Sequence, residues 1–277
     1  MRHGELIKKL RIERNLTQEQ LSAGITSRNS LAAFERGGSS ITFDNLVRYC
    51  NRLNITLEEY EYLYDSSLID PRRELATRVS HGFKAPFDQS LADDLLARFE
   101  DTNDFYFYSL YAQYYLLNDL RCKAVLTDPK VPGIVEHLKN YLDSVYSWGR
   151  FELVLFTNCL FVFDDKYISF QFHESVESMW LAVNSSNHAN DLLAFLINGS
   201  QLTFERHDEV LFCEFKSELA KVANTYHDVR ASIALQVFQM LKQSRSGQDV
   251  TKIKRKILSA LRTVDQQSWI EYIKENC

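Results

Sequence analysis

In the first 65 residues, apolar side chains recur every three or four positions in short stretches separated by polar residues or glycine. This period predicts amphipathic helices that bury one face. Thr17 with Gln20, and Thr56 with Glu59, have the spacing of a capping box, which satisfies free N–H groups at a helix start. The pattern therefore predicts five short helices. The first three run from about Gly4 to Arg14, from Gln18 to near Gly24 and from Arg28 to Phe34. The fourth is capped by Thr42 and has an apolar stripe at Phe43, Leu46, Val47, Cys50 and Leu53, and the fifth starts at Thr56.

Beyond residue 65 the helical pattern breaks at Ser66 to Asp70, followed by Pro71, and then resumes in longer stretches. We place a small domain at residues 1–65, a linker at 66–71 and a second helical domain at 72–277. Aromatic residues are dense in the second domain, as in Phe105 to Tyr108 and the tyrosines that follow. Such a stripe is typical of the core between stacked helices.

One spacing in the second domain suggests an internal repeat. Asn118, Asn158 and Asn198 are 40 residues apart, and each follows an apolar stretch. A period near 40 with two helices per unit is typical of helical repeat arrays, which curve and expose a concave groove. Asparagines on the wall of such a groove can bond the backbone of an extended peptide. The competing interpretation is that the three fall in register by chance or serve as buried ties between helices.

Composition supports a folded all-α protein. The chain has 45% hydrophobic and 25% charged residues but only 9 Gly and 4 Pro, which favours long helices over a many-stranded sheet. Residues 1–56 hold nine Lys and Arg against five Asp and Glu, whereas the remainder holds 23 against 32. A basic N-terminal domain on an acidic body indicates that this domain approaches a polyanion.

Several classes of chemistry find no support. The five cysteines include no CxxC pair, none of the seven histidines pairs at metal-binding spacing, and no phosphate-binding loop or nucleophile motif occurs. The longest apolar stretch, 153–163, is too short to span a bilayer, and the N-terminus does not resemble a signal peptide. We therefore expect a cytoplasmic protein that is not an enzyme and needs no metal or cofactor. A basic amphipathic run at 252–256 is either a solvated helix face or a contact for an acidic partner.

The N-terminal domain carries two motifs with recognisable spacing, 16–21 (LTQEQL) and 34–37 (FERG). Together with five short helices, they resemble the lambda-repressor-like (Cro/C1, XRE) helix-turn-helix domain. The resemblance implies that helix 3 lies in the major groove of DNA, that Gln18 and the start of helix 2 hold a phosphate, and that Arg11 and Glu35 form an internal ion pair. The alternative is a degenerate domain kept for dimerisation.

The resemblance also implies which side chains face DNA. Arg28 would contact guanine or a phosphate, and Asn29 would contact adenine. Ala33 departs from the long polar residue that relatives often have there, so it offers only a methyl contact. Lys9 and Arg36 are further candidates for phosphate contacts. The implied DNA-contacting set is Gln18, Arg28, Asn29, Ser30, Ala32, Ala33 and Arg36.

The full layout, a lambda-repressor-like domain followed by about 210 residues of tetratricopeptide-like (α-solenoid) helices, resembles the Rgg/MutR regulators of Gram-positive bacteria. The resemblance is strongest at 34–37, at 53–60 (LNITLEEY), and at Trp148-Gly149 with Phe151-Glu152 and Asn158-Cys159. It implies a homodimeric transcription factor that binds a double-stranded DNA operator and a short imported peptide. Asn158 matches a polar groove position of the family.

Three residues after Asn158, where relatives can place an arginine, this chain has Phe161. This difference favours a more apolar ligand or another anchor for the peptide. We predict a short, mostly apolar signalling peptide that contacts Asn158, Phe161, Asn198 and Asn118. The alternative function is a constitutive repressor or activator whose repeat domain only oligomerises.

Overall fold

The computed structural model describes residues 2–65, 71–83, 85–122, 128–182 and 186–277. Within these ranges the regular secondary structure is helical throughout, which confirms the prediction of an all-α protein. The chain divides into two compact units, Met1–Ala85 and Pro86–Cys277, called the head and the array below.

The head begins with five helices in the order predicted, followed by a sixth. Both predicted capping boxes are confirmed: Thr17 N–H donates to Gln20 Oε1 at 2.7 Å, and Thr56 N–H donates to Glu59 Oε2 at 2.8 Å. The second helix ends at Ser22, earlier than predicted. The head helices are α1 (His3–Glu13), α2 (Gln18–Ser22), α3 (Arg28–Glu35), α4 (Phe43–Arg52), α5 (Leu57–Asp65) and α6 (Pro71–Gly82).

A single apolar core holds the head together. Helices α1 to α5 each contribute to it, with Leu6, Leu31 and Tyr49 among the residues that are almost fully buried. The predicted stripe on α4 is wrong at one position, because Phe43 is 67% exposed. Phe43 is the first residue of α4, so its side chain lies at the end of the helix, away from the core that buries Tyr49 and Cys50.

Close approach of α1 and α3 requires a glycine. A Cβ atom placed on Gly4 would lie 1.9 Å from the carbonyl oxygen of Phe34, well inside van der Waals contact. Gly4 therefore lets α1 pack directly against the C-terminal end of α3. This contact sets the position of α3, the helix predicted to meet DNA.

The predicted boundary between the domains lies in a region that the structure describes only in part. Residues 66–70 of the predicted linker lie outside the described residues. The compact units divide after residue 85, so α6 is grouped with the head although it begins the predicted second domain. The linker at 66–71 stays a prediction.

The array consists of paired helices. Helices α8, α10, α12, α14 and α16 contact one another in series, and α7, α9, α11, α13 and α15 pack beside them. This serial arrangement is the one expected of a helical repeat array. The array helices are α7 (Gln89–Thr102), α8 (Phe105–Cys122), α9 (Val131–Ser144), α10 (Arg150–Asn158), α11 (Asp165–Ala182), α12 (Ser186–Glu205), α13 (Glu209–Tyr226), α14 (Val229–Arg245), α15 (Thr251–Thr263) and α16 (Gln267–Asn276).

Aromatic packing fills the core of the array. Tyr108, Tyr111 and Tyr114 of α8 are buried, which confirms the predicted core role of this stripe. Further along, Phe215 of α13 lies 4.5 Å from Phe172 and 5.2 Å from Phe195, measured between ring centroids. Aromatic pairs at this range contribute packing energy beyond their buried area.

A close helix contact in the array also depends on glycine. A Cβ atom on Gly199 of α12 would lie 2.2 Å from the ring of Phe215. Gly199 therefore makes room for an aromatic ring between α12 and α13. At the far end of the array, Ile270 and Ile273 of α16 are buried, and Phe238 of α14 packs edge-on against Trp269.

Candidate functional site

Helix α3 is fixed at its start by a serine cap. Ser27 Oγ accepts the backbone N–H of Ser30 at 3.0 Å and lies 2.8 Å from Ser30 Oγ. A capped first turn is rigid, because a free N–H group of the helix end is satisfied. The residues that follow the cap, Arg28 and Asn29, thus project from an ordered turn.

The two sides of α3 differ in character. Leu31, Phe34 and Glu35 are buried and hold the helix on the head, as the spacing i, i+3, i+4 requires. The predicted DNA-facing residues lie on the other side. Arg28, Asn29 and Ser30 are exposed, Ala32 and Ala33 are half-buried, and Arg36, just after the helix, is exposed.

A buried carboxylate joins three helices behind this surface. Glu35 accepts from Arg11 Nε at 2.6 Å and from Arg11 Nη2 at 2.9 Å. Gln18 Nε2 donates to Glu35 Oε2 at 2.8 Å, and Arg11 Nη1 donates to the Leu16 carbonyl at 2.8 Å. Arg11 lies on α1, Gln18 on α2 and Glu35 on α3, so this network fixes the relative positions of the helix-turn-helix elements.

The charges in this network stabilise each other. Burial raises the pKa of Glu35, but the hydrogen bonds from Arg11 and Gln18 and the positive charge of Arg11 outweigh that effect, so its pKa lies below the usual value. The hydrogen bond with Glu35 raises the pKa of Arg11. Both groups are therefore ionised at neutral pH, and each compensates the desolvation of the other.

Two further sets of contacts stabilise the head and are not indicated by any pattern in the sequence. Arg52 Nη1 donates to the carbonyls of Gln20 at 3.3 Å and Leu21 at 3.2 Å, which caps the C-terminal end of α2. His3 stacks on Tyr64 at 3.8 Å and hydrogen-bonds Tyr60 Oη at 2.9 Å. These contacts join residues 31 or more positions apart, beyond the range of helical periodicity.

The surface beside α3 is basic. Lys8, Arg28 and Arg36 are exposed and form no ion pair with any residue that the structure describes. Lys9, a predicted phosphate contact, lies 3.9 Å from Glu13 in an exposed ion pair. Exposed pairs of this kind are weak, so Lys9 keeps most of its freedom to meet a phosphate.

The three asparagines of the predicted groove lie on alternate helices, α8, α10 and α12, as their spacing requires. Their surroundings differ, however. Asn118 is 6% exposed and its Nδ2 donates to the Tyr114 carbonyl of its own helix at 2.9 Å. Asn158 Nδ2 donates to Gln113 Oε1 at 2.7 Å, and Asn198 is exposed.

The structure therefore does not describe a ladder of three equivalent groove asparagines. The physical reason is that a period of 40 fixes only the spacing along the chain, whereas each position meets different neighbours in the folded array. Asn158 is the last residue of α10, whereas Asn198 lies well before the end of α12. Asn118 is enclosed by the helices around it, and its amide satisfies a backbone carbonyl.

Phe161 does not share a helical face with Asn158, because α10 ends at Asn158. Phe161 lies in a 3-10 turn, Leu160–Val162, and is half-buried. Its carbonyl accepts from Arg206 Nη2 at 2.7 Å, while Arg206 Nη1 donates to the Phe163 carbonyl at 2.8 Å. A guanidinium from just beyond the end of α12 thus stabilises this turn, 45 residues away in sequence.

No group of three or more metal-binding side chains occurs among the described residues. In the same ranges, no helix has the length and apolar character needed to cross a membrane.

The fold and the surface of α3 define a helix-turn-helix DNA-binding protein with a helical C-terminal unit. Residues 7–60 match the helix-turn-helix family model, and residues 93–275 match the model of the C-terminal domain of the HTH-type transcriptional regulator Rgg. The second match alone spans more than half of the chain. The protein belongs to the Rgg family of transcriptional regulators.

Solved structures support the same fold over nearly the whole chain. A proposed transcriptional regulator from Listeria monocytogenes EGD-e is 16% identical, with a TM-score of 0.77 over 99% of this chain and 97% of that one. A cysteine-to-serine variant of the SHP pheromone receptor Rgg2 of Streptococcus dysgalactiae is 18% identical, with a TM-score of 0.75 over 99% and 98%. PrgX in complex with cCF10 is 15% identical, with a TM-score of 0.73 over 98% and 91%.

Proposed function

We propose that this chain is a peptide-responsive transcriptional regulator that inserts α3 into the major groove of an operator. The observation that carries the DNA-binding part is the exposed side of α3, where Arg28 and Asn29 project from a capped turn beside exposed positive charge. Arg28 can donate two bonds to guanine, and the Asn29 amide can pair with adenine. Ala32 and Ala33 leave room for thymine methyl groups.

Gln18 adds a phosphate contact in this proposal. Its Nε2 carries two hydrogens, and one of them already bonds Glu35. The second hydrogen remains available to a phosphate oxygen, so the network that positions α3 also positions the DNA backbone. Arg36 and Lys9 would add contacts that do not depend on base sequence.

The test for DNA binding is a competition between a selected operator and random duplex. Arg28→Ala should weaken operator binding by about 1–3 kcal/mol and reduce the preference for operator. Gln18→Ala should weaken both duplexes alike. Arg14→Ala is a matched control, because this exposed arginine follows α1 and donates to the Leu10 carbonyl of that helix. An unchanged operator preference in Arg28→Ala would contradict the proposed position of α3.

For the array, we propose a short, mostly apolar peptide as the ligand. The support is the family membership together with structural neighbours that include a pheromone receptor and a complex with cCF10. Within the predicted set, exposed Asn198 and part-buried Asn158 and Phe161 remain candidates, whereas enclosed Asn118 can take part only indirectly.

The second candidate is a constitutive regulator whose array serves only for oligomerisation. It is favoured by one observation: Asn158 is already bonded to Gln113, so it behaves as a tie between α8 and α10. Asn158→Ala separates the two. Loss of about 1–2 kcal/mol of peptide affinity with little change in stability supports the ligand role. Loss of stability with unchanged affinity supports the structural role, and Asn224→Ala, at an exposed amide of α13, is the control.

The remaining parts of the proposal concern assembly and location. A single small head offers few base contacts, so we propose a homodimer on two half-sites about one helical turn apart or a multiple of it. The protein would act in the cytoplasm, where it meets DNA, and as a regulator with no catalytic step of its own. Residues 66–71 would serve as the connection between its two functions.

A further inference from the structure

The array carries a groove that the proposed DNA and peptide contacts leave unused. It lies between the end of α9, the α9–α10 connection and α11, and encloses about 710 Å³. Its described lining contains two carboxylates, Asp143 and Glu174, and no lysine, arginine or histidine. The groove is therefore negatively charged at neutral pH.

The floor of this groove is ordered within the chain. Asp143 Oδ1 accepts from Tyr167 Oη at 2.8 Å and from Gln171 Nε2 at 3.1 Å. Trp148 Nε1 donates to the Leu142 carbonyl at 3.0 Å, which holds the α9–α10 connection against α9. A groove with a fixed floor needs little rearrangement to receive a partner.

Two large side chains stand in solvent at the edge of the groove. Tyr146 is fully exposed, and Phe170 is 60% exposed. Neither contributes much to the core in this position, and exposed aromatic residues beside a pocket are typical of protein interfaces. The groove therefore has an aromatic rim and an acidic lining, which together select a basic and partly apolar partner.

Such a partner surface exists in the same chain, on α15. Lys252, Arg255 and Lys256 are exposed and form no ion pair with any described residue. Next to them, Ile253 and Ile257 are one helical turn apart and only half-buried. Helix α15 thus offers a basic stripe beside an aliphatic one.

We propose that the groove between α9 and α11 receives α15 of a second copy of this chain. Helices α9, α11 and α15 all belong to the same flanking row of the array, so two arrays placed side by side and antiparallel bring each α15 to the other groove. In such a twofold dimer every contact occurs twice. This inference rests on the homodimer of the proposed function and names its surface.

The experiment measures the dimer dissociation constant of the full chain by sedimentation equilibrium. Glu174→Lys and Lys256→Glu should each weaken the dimer roughly tenfold, because each reversal replaces attraction by repulsion at two symmetric contacts. The double variant should recover most of the lost affinity. Glu271→Lys and Lys274→Glu, exposed charge reversals on α16, are the matched controls and should leave dimerisation unchanged.

A neutral pair of variants tests the aromatic rim. Tyr146→Ser and Phe170→Ser remove exposed side chains, so they should fold normally, as checked by thermal melting, and weaken the dimer. Single charge reversals without effect, or a double variant no better than the singles, would overturn the inference. If Tyr146→Ser abolished peptide binding and left dimerisation intact, the groove would be a ligand site instead. A monomeric wild type that binds operator and peptide would overturn this inference but not the regulatory function.

Discussion

The head and the array are both helical, but different forces fix their structures. In the head, the elements that position α3 are held by a buried ion pair, side-chain caps and a small apolar core. In the array, aromatic rings pack against one another in tilted and edge-to-face pairs, with Phe195, Phe215 and Phe238 fully buried. Polar networks specify geometry strictly because each bond has a direction, whereas apolar packing tolerates more than one arrangement.

This difference separates the kinds of site that the two units carry. The residues proposed to contact bases lie on one eight-residue helix with its cap, so their spacing follows from local rules. The surfaces of the array combine residues from different repeats, such as Asn158 with Gln113, or Phe161 with Arg206. A site of the second kind can change between relatives while the fold is kept.

The largest effect is expected in the array. Phe215→Ala should cost about 3–5 kcal/mol of unfolding free energy, because it removes a fully buried ring that contacts Phe172 and Phe195. Denaturant unfolding followed by far-UV circular dichroism measures the loss. Val210→Ala, an exposed apolar residue on the same helix, is the control and should change stability little. Equal losses in both variants would contradict the aromatic-core description.

In the head, the comparable test removes either one or both members of the buried ion pair. Glu35→Ala should cost about 3 kcal/mol, because Arg11 is left charged and largely buried without its partner. Arg11→Met combined with Glu35→Leu should cost clearly less than the single change, since no buried charge remains. Thermal melting of both variants measures these losses. A double variant that loses as much stability as Glu35→Ala, or more, would show that the pair does not act as a unit.

The same pair predicts a response to acid. The folded-state pKa of Glu35 is lowered, so its contribution to stability is present above the unfolded value of about 4.3 and is lost as pH falls through the folded value. Stability of the head should therefore decline below about pH 4. Glu35→Gln should flatten this part of the profile. Glu5, whose pKa is also lowered, is present in both proteins and serves as the internal reference.

The smallest effect is at the start of α3. Ser27→Ala should cost about 1 kcal/mol, because the N–H of Ser30 loses its acceptor. Ser27→Gly should cost less, and that order in thermal melting identifies a capping role. Operator affinity should fall slightly as well, since Arg28 and Asn29 project from the turn that the cap orders.

Prediction from sequence succeeded where physical constraints are local. Both capping boxes and the order of the head helices follow from residues within one turn of each other. Prediction did not reach the local structure at Phe161, because the period gives no sign that α10 ends at Asn158. It failed in part for Phe43, because the apolar pattern does not tell which turn of α4 reaches the core.

The sequence by itself determined that the chain is all-helical, that its N-terminal unit is a helix-turn-helix domain with α3 facing outward, and that a helical repeat unit follows. Amphipathic periodicity and capping depend on residues a few positions apart, so they can be recognised from the sequence alone. Only the tertiary structure decided that Gln18 joins the Arg11–Glu35 pair, that Asn118 is enclosed while Asn198 is exposed, and that Arg206 binds the turn at Phe161. Those outcomes depend on which helices become neighbours, and that is set by packing across the whole unit.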